Sequence, residues 1–555
     1  MNFGGSEALQ SACRALCTEF IDTFQDEVAH ELARIPPFNI DHKAAQWEVP
    51  GNRTPLRLQS SQKEEAIHNN LRDLIRIGVV ETSNAVYCSY PVVVQKSPGQ
   101  CCVCIDFRPL NNCTESASWP LPNIPAMFER IGARRSDIFG VMNLMSGYHQ
   151  ASITASAKIL TAFICFSGIY QFTRLPFGLK RAPSYFQEMM TTVVLAGLLY
   201  VTCEMYLDDC IVFGNGPDEF LQRLRDVFIR FREKNLLLKA KKCKFGVTSL
   251  EYVGRVISKE GLSMSAEKIK SVLDFPRPKT VTALRGFLGL ANCFRGFVPN
   301  HSNVVAPLHK MTVSTTHKHS RVIWNAETIK AFQDIRQAIS QCPLMHFINN
   351  VSPIHLYTDA SDYGVGGVLF QKVGEEMKPI SFVSKSLTFS QLNWSTIQKE
   401  AYAIFLCCTK LDPLLRDRKF TIHTDHKNLT YVKSSPNSMV GRWSIALQEL
   451  DYTIAYVRGF ENMSRLCPNL SDLVIKGHPA TTGTEPDNLP SPFCGALKVI
   501  PEMTDTQRDA LNMCHNKFVG HGGVKRTVEK LIGLPIQWKH MVQHTHLFIQ
   551  QCACC

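Results

Sequence analysis

Cys203-Glu204-Met205-Tyr206-Leu207-Asp208-Asp209-Cys210-Ile211-Val212-Phe213 sets two consecutive aspartates inside an otherwise apolar run. Paired carboxylates are costly to bury unless a cation neutralises them. A strand, a tight turn and a return strand would hold Asp208 and Asp209 at the tip of a hairpin, ready to bind a divalent ion. The chemistry that such a tip fits is nucleotidyl transfer. Taken alone, the run also fits a surface turn, so the surrounding chain has to decide.

Upstream stand Pro120-Leu121-Pro122, Ser146-Gly147-Tyr148-His149-Gln150 and Leu175-Pro176-Phe177-Gly178-Leu179. In this order and at about this spacing, the series resembles the reverse transcriptase of retroelements. More narrowly, the chain resembles the polymerase and ribonuclease H part of a gypsy-type LTR retrotransposon polyprotein, running into the start of its integrase. The resemblance covers nearly the whole sequence. It implies a multidomain α+β and α/β architecture: a right-hand polymerase of fingers, palm and thumb, then a ribonuclease H-like domain and a small helical zinc-binding module. The implied activity is DNA synthesis on RNA and DNA templates with degradation of the hybrid RNA. A decayed or repurposed copy that binds primer-template with little or no catalysis is the rival reading.

Composition agrees with a multidomain protein. A chain of 555 residues has room for three or four domains, and 45% hydrophobic residues build ordinary cores. Collagen-like, disordered and coiled-coil classes are excluded. A net charge of +12 suits a polyanionic partner, although a diffuse basic surface that serves only solubility gives the same number. The 21 cysteines are scattered without a small-domain framework, and the start lacks a signal peptide pattern, which predicts reduced thiols and few or no disulfides in a cytoplasmic or nuclear setting. No apolar run is long enough to span a bilayer.

Along the chain, residues 1–60 read as an N-terminal extension, 61–258 as fingers and palm, and 259–345 as thumb and connection. Glu64 to Ile77 has helical periodicity, Tyr90 to Val94 is extended, and Ser97-Pro98-Gly99 marks a turn. Ile105 to Asn111 reads as a finger strand leading to the palm, and Leu284 to Leu290 as an amphipathic helix. Residues 350–470 carry the ribonuclease H pattern, with a first strand from Ile354 to Thr358 and a return strand from Gly364 to Phe370. Residues 471–505 are a proline-rich linker and 506–555 a zinc-like module that stops before any integrase core.

Nucleotidyl transfer calls for two cations about 4 Å apart, held by clustered carboxylates. The resemblance assigns that role to Asp208, Asp209 and a third aspartate on the strand before Ser-Gly-Tyr, but here that position is Asn143. An amide keeps one neutral oxygen and loses the charge and bidentate capacity that divalent ions need. Tyr148 matches the aromatic that stacks under the incoming sugar, and Pro176, Phe177 and Gly178 match the loop lining the nucleotide pocket. Cys102 stands where the family places a basic triphosphate ligand, and Arg181 replaces the usual asparagine. Arg108 and Lys242 remain as basic candidates, each also readable as a solvated surface charge.

The hybrid nuclease implied by the resemblance uses four carboxylates. Asp359, Glu400 and Asp425 match three of them. The fourth is missing: Gly459-Phe460-Glu461-Asn462-Met463-Ser464-Arg465 has both flanks of the family pattern but not the Ala-Asp piece between them, as a short in-frame deletion after Asn462 would leave it. Glu461 or Asp472 are the available substitutes. In the tail, His515, His521, Cys552 and Cys555 have the spacing of an integrase zinc module, with Cys554 a rival to Cys555. The expected cofactors are therefore magnesium at the two carboxylate sites and structural zinc. The expected partners are RNA template, DNA primer, RNA-DNA hybrid and deoxynucleoside triphosphates, with no membrane.

Overall fold

The computed structural model describes residues 1–27, 31–52, 59–97, 100–115, 119–313, 320–427, 429, 438–459 and 462–463. Met1–Gly477 form one compact unit; a second, His478–Cys555, lies outside the described residues.

The Asp208-Asp209 run folds as the expected hairpin, with strands Cys203–Tyr206 and Asp209–Gly214 joined across Leu207 and Asp208. Asp209–Gly214 also pairs antiparallel with Ile138–Asn143, which pairs with Lys244–Val247. The run is apolar throughout because both faces of this palm sheet are covered. Met142, Cys210 and Val212 pack on one side, in the same core as Phe220, Leu224, Val227, Phe228 and Phe231 of the helix Gly216–Glu233. Phe139, Val141, Ile211 and Phe213 pack on the other. The helix is well specified at its ends: Pro217 and the acids Asp218 and Glu219 lie in the first turn, and Arg230 and Arg232 in the last.

Residues read as an N-terminal extension are built into the palm. Asn2–Phe3 adds a parallel strand to Lys244–Val247, and Leu9, Cys13, Leu16 and Phe20 enter the palm core. In the fingers, the helix Ser61–Arg76 buries Ile67 and Leu71, and a hairpin pairs Pro91–Ser97 with Gln100–Ile105. The expected strand over Ile105 to Asn111 is corrected: it ends at Ile105, and Arg108–Cys113 is helical. Asp106 accepts a hydrogen bond from the Arg108 amide (3.2 Å), and Pro109 sits in the helix's first turn, a local signal that overrides the extended reading.

Beyond the palm, a four-stranded sheet (Ser249–Tyr252, Arg255–Ser258, Gly261–Met264, Met345–His346) leads into the helices Val281–Asn292, His301–Val313 and Ala326–Ser340. Val281–Asn292 contains the expected Leu284 to Leu290 helix, with Leu284, Phe287 and Leu288 buried. The last domain is a five-stranded sheet in the order Glu376–Ser386, Gly364–Val373, Ile354–Ala360, Phe420–Thr424, Tyr452–Tyr456. Its first three strands are antiparallel and its last two join in parallel. The helix Thr396–Lys410, opened by a Ser395/Gln398 capping box, buries Ala403, Cys407 and Cys408. One apolar cluster runs from Phe139 and Ile211 in the palm, through Phe287 and Ile335, to Val368, Phe370 and Phe382 of this sheet.

Candidate active sites

The palm register brings Asn143 directly opposite Asp209, and Asp209 opposite Tyr206. The Asn143 side-chain amide donates to Asp209 Oδ1. Leu207 makes the turn with φ +55°, a left-handed conformation that costs a non-glycine residue about 1–2 kcal/mol. Buried Gln187 holds this turn in place. Its Oε1 accepts from the Leu207 amide at 2.9 Å, and its Nε2 donates to the Met205 carbonyl at 3.3 Å. The Leu144 amide donates to the Asp208 carbonyl (3.0 Å), and the Tyr252 hydroxyl to the Asp209 carbonyl (3.1 Å).

Asp208 Oδ1 is buried and has no hydrogen-bond partner. A Cβ on Gly147 would overlap this oxygen, so only glycine leaves the space open beside it. Burial and the neighbouring Asp209 push the Asp208 carboxyl up to about 6, against the opposing pull of Lys242. Such an oxygen, destabilised when charged and without a donor, is what a divalent cation would relieve; Asp208 and Asp209 fit a metal ion, and Asn143 does not.

Around this tip, Tyr148 is buried against Phe186 and Phe177, with ring centres at 5.3 and 5.0 Å. Burial, Asp208 and Tyr206 raise its hydroxyl to about 12. Pro176 is buried and Phe177 half exposed. Gly178 has φ +97°, a conformation that glycine adopts without strain. Asn111 pins the loop on both sides, donating to the Gly178 carbonyl (2.9 Å) and accepting from the Lys180 amide (2.7 Å). Arg108 is exposed and held bidentately by Asp106 (2.8 and 2.6 Å), and Arg181 pairs with Asp41. Gln150 is buried and ties two loops together, donating to the carbonyls of Met145 and Leu237 (2.9 Å each) and accepting from the Leu237 amide (2.7 Å).

The second site gathers Asp359, Glu400 and Asp425, whose ligand atoms all lie within 4.8 Å of one another. Asp359 lies inside its strand, which continues to Ala360, and Asp425 follows Thr424 at the end of the parallel neighbour. Glu400, the fifth residue of its helix, accepts from the Ala360 amide at 3.3 Å. The donor set, three hard carboxylates converging from two strands and a helix, suits magnesium or manganese. Asn462 is fully buried, and its amide donates to the Thr358 carbonyl at 2.9 Å, one residue from Asp359. At Asn462 the chain thus lies beside the strand that carries Asp359. Glu461, Asp472, His515, His521, Cys552 and Cys555 lie outside the described residues.

Residues 95–284 match the family described as "Reverse transcriptase (RNA-dependent DNA polymerase)", and residues 349–450 the "RNase H-like domain found in reverse transcriptase". The chain is 31% identical over 447 residues to the Retrovirus-related Pol polyprotein from transposon 297 of Drosophila melanogaster, spanning 79% of this chain and 40% of that relative. It belongs to the reverse transcriptase family of retroelement Pol polyproteins. The Transposon Tf2-3 polyprotein of Schizosaccharomyces pombe is 28% identical over 460 residues, 81% of this chain and 34% of that one. The chain therefore spans well under half the length of these relatives.

Among solved structures, the foamy viral protease-reverse transcriptase in complex with RNA/DNA hybrid superposes with a TM-score of 0.68 at 20% identity, over 88% of this chain and 64% of that one. The foamy viral protease-reverse transcriptase dRH in complex with double-stranded DNA gives 0.70 at 20% identity, covering 82% of this chain and 79% of that one. These likenesses establish the fold. Reverse transcriptase and ribonuclease H families generally use magnesium, in keeping with the cluster of Asp359, Glu400 and Asp425. Sequence reading missed Gln187, Gln150, Asn111 and the Gly147 approach. The one available signal was an amide on an otherwise apolar face, as at Gln187 between Phe186 and Met190.

Proposed function

We propose that this chain grips a primer-template of RNA and DNA and acts on it as an RNA-directed DNA polymerase with hybrid-directed ribonuclease H activity, both far slower than complete carboxylate sets would allow. The observation that carries this is the convergence of Asp208 and Asp209 beside the space left open by Gly147, with an amide where a third charge belongs. Asp208 and Asp209 would hold magnesium in the palm, and Asp359, Glu400 and Asp425 in the nuclease. The ions supply the charge that activates the attacking oxygen and stabilises the leaving one. Tyr148, backed by Phe186, offers its ring to a deoxyribose, while Phe177 and Gly178 line the approach over Pro176. Arg108, engaged by Asp106, would have to exchange partners to reach a nucleotide.

Asn143 favours the second reading, binding without efficient turnover. Its donated hydrogen bond occupies an oxygen of Asp209 that a metal ion would otherwise take. Phosphate contacts spread over many basic residues survive the loss of one carboxylate, so duplex binding outlives catalysis and weakens steeply with salt. The domain boundaries given above, zinc held by His515, His521, Cys552 and Cys555, and a cytoplasmic particle or nuclear location belong to the same proposal. Among the described residues, no helix is long and apolar enough to cross a membrane. Primer extension on an RNA template with magnesium, run beside a salt titration of duplex binding, tests it. Salt-independent binding would remove the nucleic-acid role.

A further inference from the structure

Between the finger helix Ser61–Arg76 and the hairpin strand Gln100–Ile105 lies a cavity of about 390 Å³. Ile67 and Leu71 of the helix line it together with Phe163, Phe172 and, from the hairpin, Cys102 and Cys104. Two residues apart on a strand, these cysteines point to the same face, with their sulfurs 3.9 Å apart. The rim reaches Phe177 and Gly178 of the nucleotide loop. Among the described residues, no lysine, arginine, aspartate or glutamate lines the cavity. Its polar groups are the thiols, Asn70 and His149, whose imidazole burial drives down to about 4 and so leaves uncharged at neutral pH.

Among the described residues, a triphosphate held here would meet none of the cations that phosphate oxygens require. The volume falls in the range of small-molecule sites, and the lining is aromatic and aliphatic with a few convergent polar groups. We propose that this cavity binds a neutral aromatic molecule of one or two rings, and that Cys102 is the nucleophile an electrophilic ligand of that class meets. With a maleimide as electrophile, the Cys102 Sγ bonds to one alkene carbon as the carbon-carbon π bond breaks, and the thiol proton ends on the neighbouring carbon. Nothing leaves and no external oxidant is needed. The proposal depends on neither carboxylate cluster.

The test is competitive alkylation of the full chain, with adduct formation followed at each cysteine by peptide mass mapping. Cys293, exposed on the connection helices, serves as internal reference. N-phenylmaleimide should modify Cys102 about tenfold faster than Cys293, equivalent to ~1.4 kcal/mol of prior binding. A maleimide bearing a carboxylate in place of the phenyl group should lose that preference. N-phenylsuccinimide, which has the shape but no alkene, should slow modification of Cys102 and leave Cys293 unchanged. Leu71→Trp, which fills the cavity, should abolish the preference at an unaltered Cys293 rate. Equal Cys102 to Cys293 ratios for both maleimides, together with no protection by the succinimide in the unmodified chain, would overturn the proposal whether or not the Trp variant folds.

Discussion

The palm and the nuclease each gather carboxylates at or near strand ends, yet on the reading proposed above each falls one charge short in a different way. In the palm the position survives and its chemistry has changed: Asn143 still pairs in register with Asp209 and bonds to it. In the nuclease three carboxylates keep their cluster, and on the reading proposed above what is missing is a short piece of sequence after Asn462. A side-chain exchange within an intact sheet leaves the scaffold ready for the original residue. A change of chain length does not, because the backbone must be rebuilt to deliver the missing group.

This contrast predicts that the palm is the easier site to restore. Asn143→Asp should raise magnesium-dependent primer extension about a thousandfold, or ~4 kcal/mol of barrier. An unmodified chain as fast as this variant would break the comparison, because the amide would then be no handicap. Cys102 and Arg181 are expected to cap the recovery.

The next effect is on stability. Between 3.8 and about 6 the folded chain holds a proton on Asp208 that the unfolded chain has released. Metal-free stability should therefore fall as pH rises through this window, by at most about 3 kcal/mol, with the loss complete above it. Metal affinity at the palm should climb over the same range. Thermal melts in chelator at pH 4 and pH 7 measure the first effect, and Asp208→Asn should remove most of the slope. A slope unchanged in that variant would assign it to other groups.

A smaller gain is expected in the nuclease. Inserting an Ala-Asp-containing segment after Asn462 should speed hybrid cleavage about ten- to a hundredfold, ~1.4–2.7 kcal/mol. Before insertion, manganese should support more cleavage than magnesium, because it binds such sites more tightly. If the insertion changes nothing and Asp472→Asn abolishes an existing activity, Asp472 is the fourth ligand and the deletion reading fails.

The smallest effect separates the two sites most cleanly. Gln187→Leu leaves the Leu207 amide without its acceptor and should cost about 1–2 kcal/mol in urea denaturation. It should weaken metal binding in the palm and spare hybrid cleavage. Equal damage to both activities would show that the hairpin support is merely part of global stability.

Much of both sites was legible because their ligands sit at fixed offsets from apolar strands. Asp208 and Asp209 interrupt a doubly covered strand pair, and Asp359 and Asp425 lie at or just beyond the last residues of two strands that run side by side. What escaped reading depends on residues far apart in the chain. Gln187 reaches Leu207 across 20 positions, and Gln150 reaches Leu237 across 87. Asn2–Phe3 gives no sign of its place beside Lys244–Val247, since two residues carry no periodicity. The expected finger strand stops short because Asp106 accepts from the Arg108 amide and turns the chain locally, a contact that apolar periodicity does not reveal. Arg108 looked available for the same reason, since pairing between neighbours two apart is decided by local backbone geometry.

The apolar cluster that runs unbroken from Phe139 to Phe382 governs how this molecule can be taken apart. A fragment cut near residue 350 to isolate the nuclease would bare Val368, Phe370 and Phe382, each worth about 1.5–3 kcal/mol of burial, on one side of its sheet. Such a fragment should aggregate on expression, and polar replacements on that face would be needed to keep it soluble. Heating the intact chain should melt palm and nuclease in one calorimetric transition. The palm and the sheet that carries Asp359 thus belong to one compact unit and are expected to unfold together.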